Sequence, residues 1–218
     1  MENELNNNEE IELTDKEIFT EIWTSPRLVF RYINEKQYDK YVTVLLFLSG
    51  ISATFGRAST NCVGDTMNSL GFIIGVCIIG GGLLGWVTFY ISSALISWTG
   101  KWLNGQGNTK SFLRIGSHAM IPSIVALIFL FLKIGIYGIE IFKSDGDIYS
   151  AGTLANIFFY GASILELLLG IWTVVLLVIG ISEVQKFSIW KSILNMILPG
   201  FVVLIPLIAI ILLMSILR

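Results

Sequence analysis

LANIFFYGASILELLLGIWTVVLLVIGIS, residues 154–182, carries a single charged residue, Glu166, in a run long enough to cross a bilayer. A hydrocarbon core about 30 Å thick is spanned by about 20 helical residues rising 1.5 Å each. Within it, backbone N–H and C=O groups find no water, so a crossing segment of this kind must be a helix. Four further apolar runs lie at about 41–56, 71–97, 119–142 and 193–217. The first is short and reaches crossing length only by extending to about Thr60, with Arg57 snorkelling to the interface. None shows the alternating ten-residue pattern of barrel strands. The expected fold class is therefore all-α, a polytopic membrane helical bundle with about five transmembrane helices.

Composition agrees. Of 218 residues, 54% are hydrophobic and 14% charged, against about a quarter charged in soluble domains. The mean hydropathy is +0.76. The net charge of −2 leaves no basic footprint for nucleic acid. Half of the charged residues fall within the first 40 positions. Three regions follow: an arm over 1–22, an amphipathic interfacial segment over 23–40 and a membrane domain over 41–218. The Asn- and Glu-rich stretch 1–13 is expected to be disordered. Thr14-Asp15-Lys16-Glu17 has capping-box spacing, and Pro26 suits the first turn of a second helix. That helix sets Leu28, Val29, Phe30 and Ile33 beside Arg27, Arg31 and Lys36. It fits either the membrane surface or a site on the protein's own face. The acidic N-terminus lacks the basic-then-apolar order of a cleavable signal, so the first span would direct insertion.

Basic residues near the span ends orient the chain. Nine lie on the side of the N-terminus: Arg27, Arg31, Lys36, Lys40, Lys101, Lys110, Arg114, Lys186 and Lys191. Three lie on the other: Arg57, Lys143 and Arg218. The N-terminus is expected in the cytoplasm and the C-terminus outside, in a bacterial inner membrane. Trp98, Trp102 and Trp190 mark the inner boundary as an aromatic belt.

Several features are candidates for function. Gly71 and Gly75, like Gly81 and Gly85, are four apart on one helix face, where another helix can approach closely. Lys133 and Glu166 lie nine and twelve residues from the outer ends of antiparallel spans, about 14 and 18 Å deep. An unpaired charge there is costly, so an ion pair is expected. It serves either a proton, ion or headgroup site or helix rotation alone. The inner loop Trp98–Phe112, with Lys101, Gly105, Gly107 and Lys110 ahead of Arg114, is basic and glycine-rich. It lacks a P-loop's order. Thr109 or Ser111 would cap a helix starting near Phe112. His118, the single histidine, reads as a polar residue at the span boundary. Pro122 opens the third span harmlessly, whereas Pro199 and Pro206 sit inside the fifth and predict a kink. Cys62 and Cys77 have neither metal-ligand spacing nor a disulfide pattern. No nucleophile elbow, paired catalytic carboxylates or HExxH motif appears. No catalytic residue, metal or cofactor is assigned.

Trp23-Thr24-Ser25-Pro26-Arg27 resembles the W-x-x-P-R opening of bacterial members of the Yip-domain family, the Ypt/Rab-interacting proteins. The stretch from Leu95 through Gly105-Gln106-Gly107-Asn108-Thr109 to Ala119-Met120-Ile121-Pro122 is similar to that family's inner loop and third-span start, with Asn108 as a departure. The resemblance covers about residues 22–217. It implies five spans and a cytoplasmic N-terminus. Eukaryotic members act in vesicle traffic and bind Rab-type GTPases and each other. The Ile- and Asn-rich composition is more bacterial, so that role is not carried over, and the family supplies no catalytic residues.

The leading expectation is a non-enzymatic membrane protein that organises or binds membrane components through its cytoplasmic face. Its partners would be the lipid bilayer, other membrane proteins or a second copy of itself. The alternatives are a small transporter or channel using Lys133 and Glu166, and a lipid-directed enzyme using His118 near the inner loop.

Overall fold

The computed structural model describes residues 12–216. Eight α-helices follow in order: α1 (Asp15–Glu21), α2 (Pro26–Glu35), α3 (Val42–Thr60), α4 (Leu70–Trp102), α5 (Thr109–Ala119), α6 (Ile121–Tyr137), α7 (Thr153–Gln185) and α8 (Ile189–Ile216). Short 3₁₀ turns at Val63–Asp65, Gly138–Phe142 and Tyr149–Ala151 occupy the connections at the far end of the bundle. Four segments are long and apolar enough to cross a membrane: Val42–Thr60, Leu70–Trp102, Thr109–Phe142 and Thr153–Gln185. The fifth expected span is α8, an apolar helix of 28 residues, about 42 Å long at 1.5 Å per residue. The segment expected over 1–13 lies largely outside the described residues.

The crossing helices face outward with apolar side chains. Leu83, Leu84, Trp86 and Ile91 of α4 and Ile157, Ile164, Leu167 and Leu168 of α7 are all exposed. Water would penalise so large an apolar surface, and acyl chains do not. What holds helix to helix is therefore close packing rather than the hydrophobic effect. The tightest crossing joins α3 to α4. A Cβ on Gly50 would lie 2.7 Å from the Gly85 Cα, and one on Gly81 would lie 2.8 Å from the Gly50 carbonyl oxygen. Gly81 and Gly85 thus sit on the packing face. Gly71 and Gly75 do not: nothing lies within 4 Å of a Cβ built at either. Both pairs share the same spacing, but only the pair near the middle of α4 meets α3.

At the end that carries the N-terminus, α1, α2 and α5 form a cap. Thr14 closes a capping box with Glu17, whose carboxylate accepts the Thr14 N–H at 2.7 Å. Pro26 takes the first turn of α2. The apolar faces of these short helices, Ile18, Ile22, Val29, Phe30 and Ile33, are fully buried. They share one core with Phe112, Ile115 and Ala119 of α5 and Leu176, Ile181 and Val184 of α7. The apolar face of the amphipathic segment therefore packs on the protein's own face.

Leucine at Gly85 forces the α3–α4 crossing apart, whereas leucine at Gly71 meets open space. Overpacking of this kind costs about 1–3 kcal/mol or more. The purified Gly85→Leu protein should melt earlier in detergent than the wild type, and Gly71→Leu should melt with it. Differential scanning fluorimetry reads both.

Candidate functional site

Two polar constellations stand out, one at the capped end and one inside the bundle. The first begins with the turn between α2 and α3. Asp15 accepts hydrogen bonds from the Tyr38 hydroxyl at 2.7 Å and the Tyr41 hydroxyl at 2.8 Å, and pairs with Lys40. Lys40, then the two tyrosines, hold its carboxyl at about 2. Because that value is depressed, the pairing is present at neutral pH and is lost only as the pH falls through about 2. Asp39 next receives Arg114 in a two-pronged contact, Nε to Oδ1 at 2.7 Å and Nη2 to Oδ2 at 3.0 Å. The guanidinium beside it holds the Asp39 carboxyl below the usual range. The Arg114 side chain is only 10% exposed. It is a clamp between the arm and α5, and not the surface cation expected from sequence. Arg31 approaches Glu183 at 4.0 Å, a looser tie from α2 to α7.

The inner loop is held from below. Gly107 N–H donates to the Gln185 side-chain oxygen at 2.8 Å, and Ser97 Oγ donates to the Gly107 carbonyl at 3.1 Å. The Gln185 and Asn195 amides both donate to the Ile96 carbonyl, at 3.4 and 3.3 Å. A Cβ at Gly105 would lie 2.6 Å from the Gln185 amide carbon and 2.8 Å from the Phe187 ring. Gly105 and Gly107 are small so that the loop can lie on the end of α7. Asn108, not Thr109 or Ser111, caps α5: its side chain accepts the Ser111 N–H at 3.0 Å. Asparagine is among the best capping residues, and the residue that departed from the family pattern fills that place.

His118 is buried, not at the boundary surface. Its Nδ1 lies 2.7 Å from the Arg114 carbonyl, and its ring packs near Phe19 and Tyr38. Outside this scaffold remain Arg27, Lys101 and Lys110, all exposed, as are Trp98, Trp102 and Trp190. The Trp98 and Trp102 rings meet edge to face at 4.9 Å.

The second constellation joins α6 to α7. Lys133 Nζ lies 2.6 Å from Glu166 Oε2 and 3.4 Å from Ser163 Oγ, with the Phe159 ring centroid at 5.1 Å. The matched depths expected from sequence bring the two charges together. Glu166 Oε1 is buried without a hydrogen-bond partner among the described residues. Both residues border a groove of about 330 Å³ against α3, with Ser52, Ser59 and Ser123 along its wall. Ser52 donates to the Ser123 carbonyl at 2.9 Å, and Ser123 meets the Thr173 hydroxyl at 2.9 Å. The lysine therefore has its partners within the chain.

The arrangement missed in sequence is the Gln185–Asn195 platform and the two aspartates of the arm. Gly105 and Gly107 marked the loop as glycine-rich, but no local signal named what lies against it.

Changing either Lys133 or Glu166 alone to leucine leaves the other charged in low dielectric. In soluble proteins that costs about 3–5 kcal/mol. The double variant removes both charges and should recover much of the lost melting temperature; additive losses in a thermal double-mutant cycle would contradict the pairing.

The comparisons fit this geometry. No curated protein and no solved structure matches the chain. The family model of the Yip1 domain matches residues 20–211, from the end of α1 into the last turns of α8. A match across nearly the whole chain, over a helical bundle with several membrane-crossing helices, places this protein in the Yip1 domain family.

Proposed function

We propose that this Yip1-family protein is a non-enzymatic membrane protein that binds or organises other membrane components through the capped end of its bundle, and that this end faces the cytoplasm. The observation that carries the reading is the division of labour at that end. Arg114, Asp39, Asp15, Gln185 and Asn195 are used in holding the cap together. Arg27, Lys101 and Lys110 are left exposed, as are three tryptophans, Trp98, Trp102 and Trp190. A rigid platform rimmed by cations and aromatics suits an anionic leaflet, where each basic residue contributes about 1 kcal/mol. It suits equally a membrane-protein partner, or a second copy, docked at the same leaflet.

The nine-to-three distribution of basic residues supports the cytoplasmic placement. Lys133 argues for a structural role and against cargo binding, since its ammonium is held by Glu166, Ser163 and the Phe159 ring. A transporter's cargo site is usually built on broken helices at the midplane, whereas α6 and α7 run unbroken past Lys133 and Glu166.

Charge reversal at Arg27 and Lys101, with Lys110 only neutralised because its charge also acts on Asp39, should abolish complementation of a deletion strain, with the protein still inserted and of normal yield. Neutralising Lys133 and Glu166 together should spare complementation. Loss with the membrane pair and tolerance at the surface would reject the reading in favour of transport.

A further inference from the structure

The α3–α4 crossing splays open on one side into a groove of about 330 Å³, running from Arg57 past Gly80 and Leu84 to Ser92. Along α4 its lining extends from Val76 to Ser92, which is about 24 Å at 1.5 Å per residue. One leaflet of acyl chains occupies about 15 Å, half of the hydrocarbon core. The walls are mostly apolar; of their hydroxyls, Thr54 donates to the Gly50 carbonyl at 2.9 Å and Thr88 to the Leu84 carbonyl at 3.0 Å, and Ser92 lies at the far end from Arg57. The groove's one charge is Arg57. It lies three residues before the end of α3 and is exposed, about 4.5 Å along the axis from that end. Among the described residues no carboxylate pairs with it. Arg57 also lines a second, smaller hollow of about 190 Å³ with Asn61, Val63 and Met67, on its surface side.

An unpaired guanidinium between an apolar trough and a small surface hollow matches one ligand class. We propose that this groove holds a phospholipid of net negative charge, in the leaflet at the far end from the cap. The guanidinium takes the phosphate oxygens in two parallel hydrogen bonds, the geometry at which arginine excels. One acyl chain lies along α4 towards Ser92, and a small headgroup sits near Asn61. A zwitterionic lipid brings its own ammonium to the phosphate and competes poorly. The site is separate from the capped end, and its failure would leave the proposed function standing.

Gly80 allows the two halves of the site to be tested apart, because a Cβ there has only Val76 Cγ1 at 4.0 Å as neighbour. Gly80→Leu therefore fills the trough without disturbing the crossing. The experiment is native mass spectrometry of the full-length protein, delipidated in detergent and offered phosphatidylglycerol and phosphatidylcholine at equal concentration. Wild type should retain phosphatidylglycerol about tenfold over phosphatidylcholine, a difference of about 1.4 kcal/mol, because both offer the same phosphate and only phosphatidylcholine brings a compensating ammonium. Arg57→Gln should erase that preference, Arg57→Lys should keep part of it, and Gly80→Leu should lower retention of both lipids. Circular dichroism and size exclusion confirm that each variant is folded. An undiminished preference in folded Arg57→Gln, or undiminished retention in Gly80→Leu, would overturn the proposal.

Discussion

Hydrocarbon offers a chain no hydrogen-bond partner and no screening, and every part of this molecule answers that constraint. It makes the crossing segments helical. It also favours polar groups within them that find a partner inside the protein. Lys133 finds Glu166, and Ser52, Ser123 and Thr173 bridge α3, α6 and α7. Because lipid is as apolar as leucine, helices cohere by fitting together, which is why the Gly50–Gly81–Gly85 crossing anchors α3 to α4. The same freedom from the hydrophobic effect permits α4 and α7 to expose large apolar side chains along most of their length.

At the capped end water returns, and the logic changes. There α1 and α2 bury apolar residues in the ordinary way, against α5 and α7. Charge then fixes their register. Asp15 draws the α2–α3 turn onto α1, and Asp39 locks that turn to Arg114 of α5. Gln185 carries the inner loop on the end of α7, and Asn195 of α8 ties to Ile96 of α4. Local helices that would be marginal alone become a firm platform because three kinds of interaction, apolar, ionic and amide, act on the same few turns.

How far the sequence could be read follows the same division. The spans were legible because apolar length is a one-dimensional property. The Lys133–Glu166 contact was legible because antiparallel helices of fixed rise convert residue counts into depth. What faces what was not. Gly71 and Gly75 repeat the spacing of Gly81 and Gly85, yet only the latter pair meets α3, since spacing defines a stripe but not its partner. Arg114 and His118 read as boundary residues because a polar side chain at a span's end looks alike whether it faces water or a neighbouring helix. The amphipathic arm showed an apolar face without naming its cover. Gln185 closes an apolar run and gave no sign of the loop that rests on it.

The account turns on which side of the membrane the cap occupies. Cys62 lies at the far end just after α3 and is partly exposed, while Cys77 is buried within α4. A membrane-impermeant maleimide applied to intact cells, or to spheroplasts where an outer membrane intervenes, should label Cys62 and leave Cys77 untouched. Labelling of Cys62 only after the membrane is permeabilised would place the cap outside the cell and contradict the account.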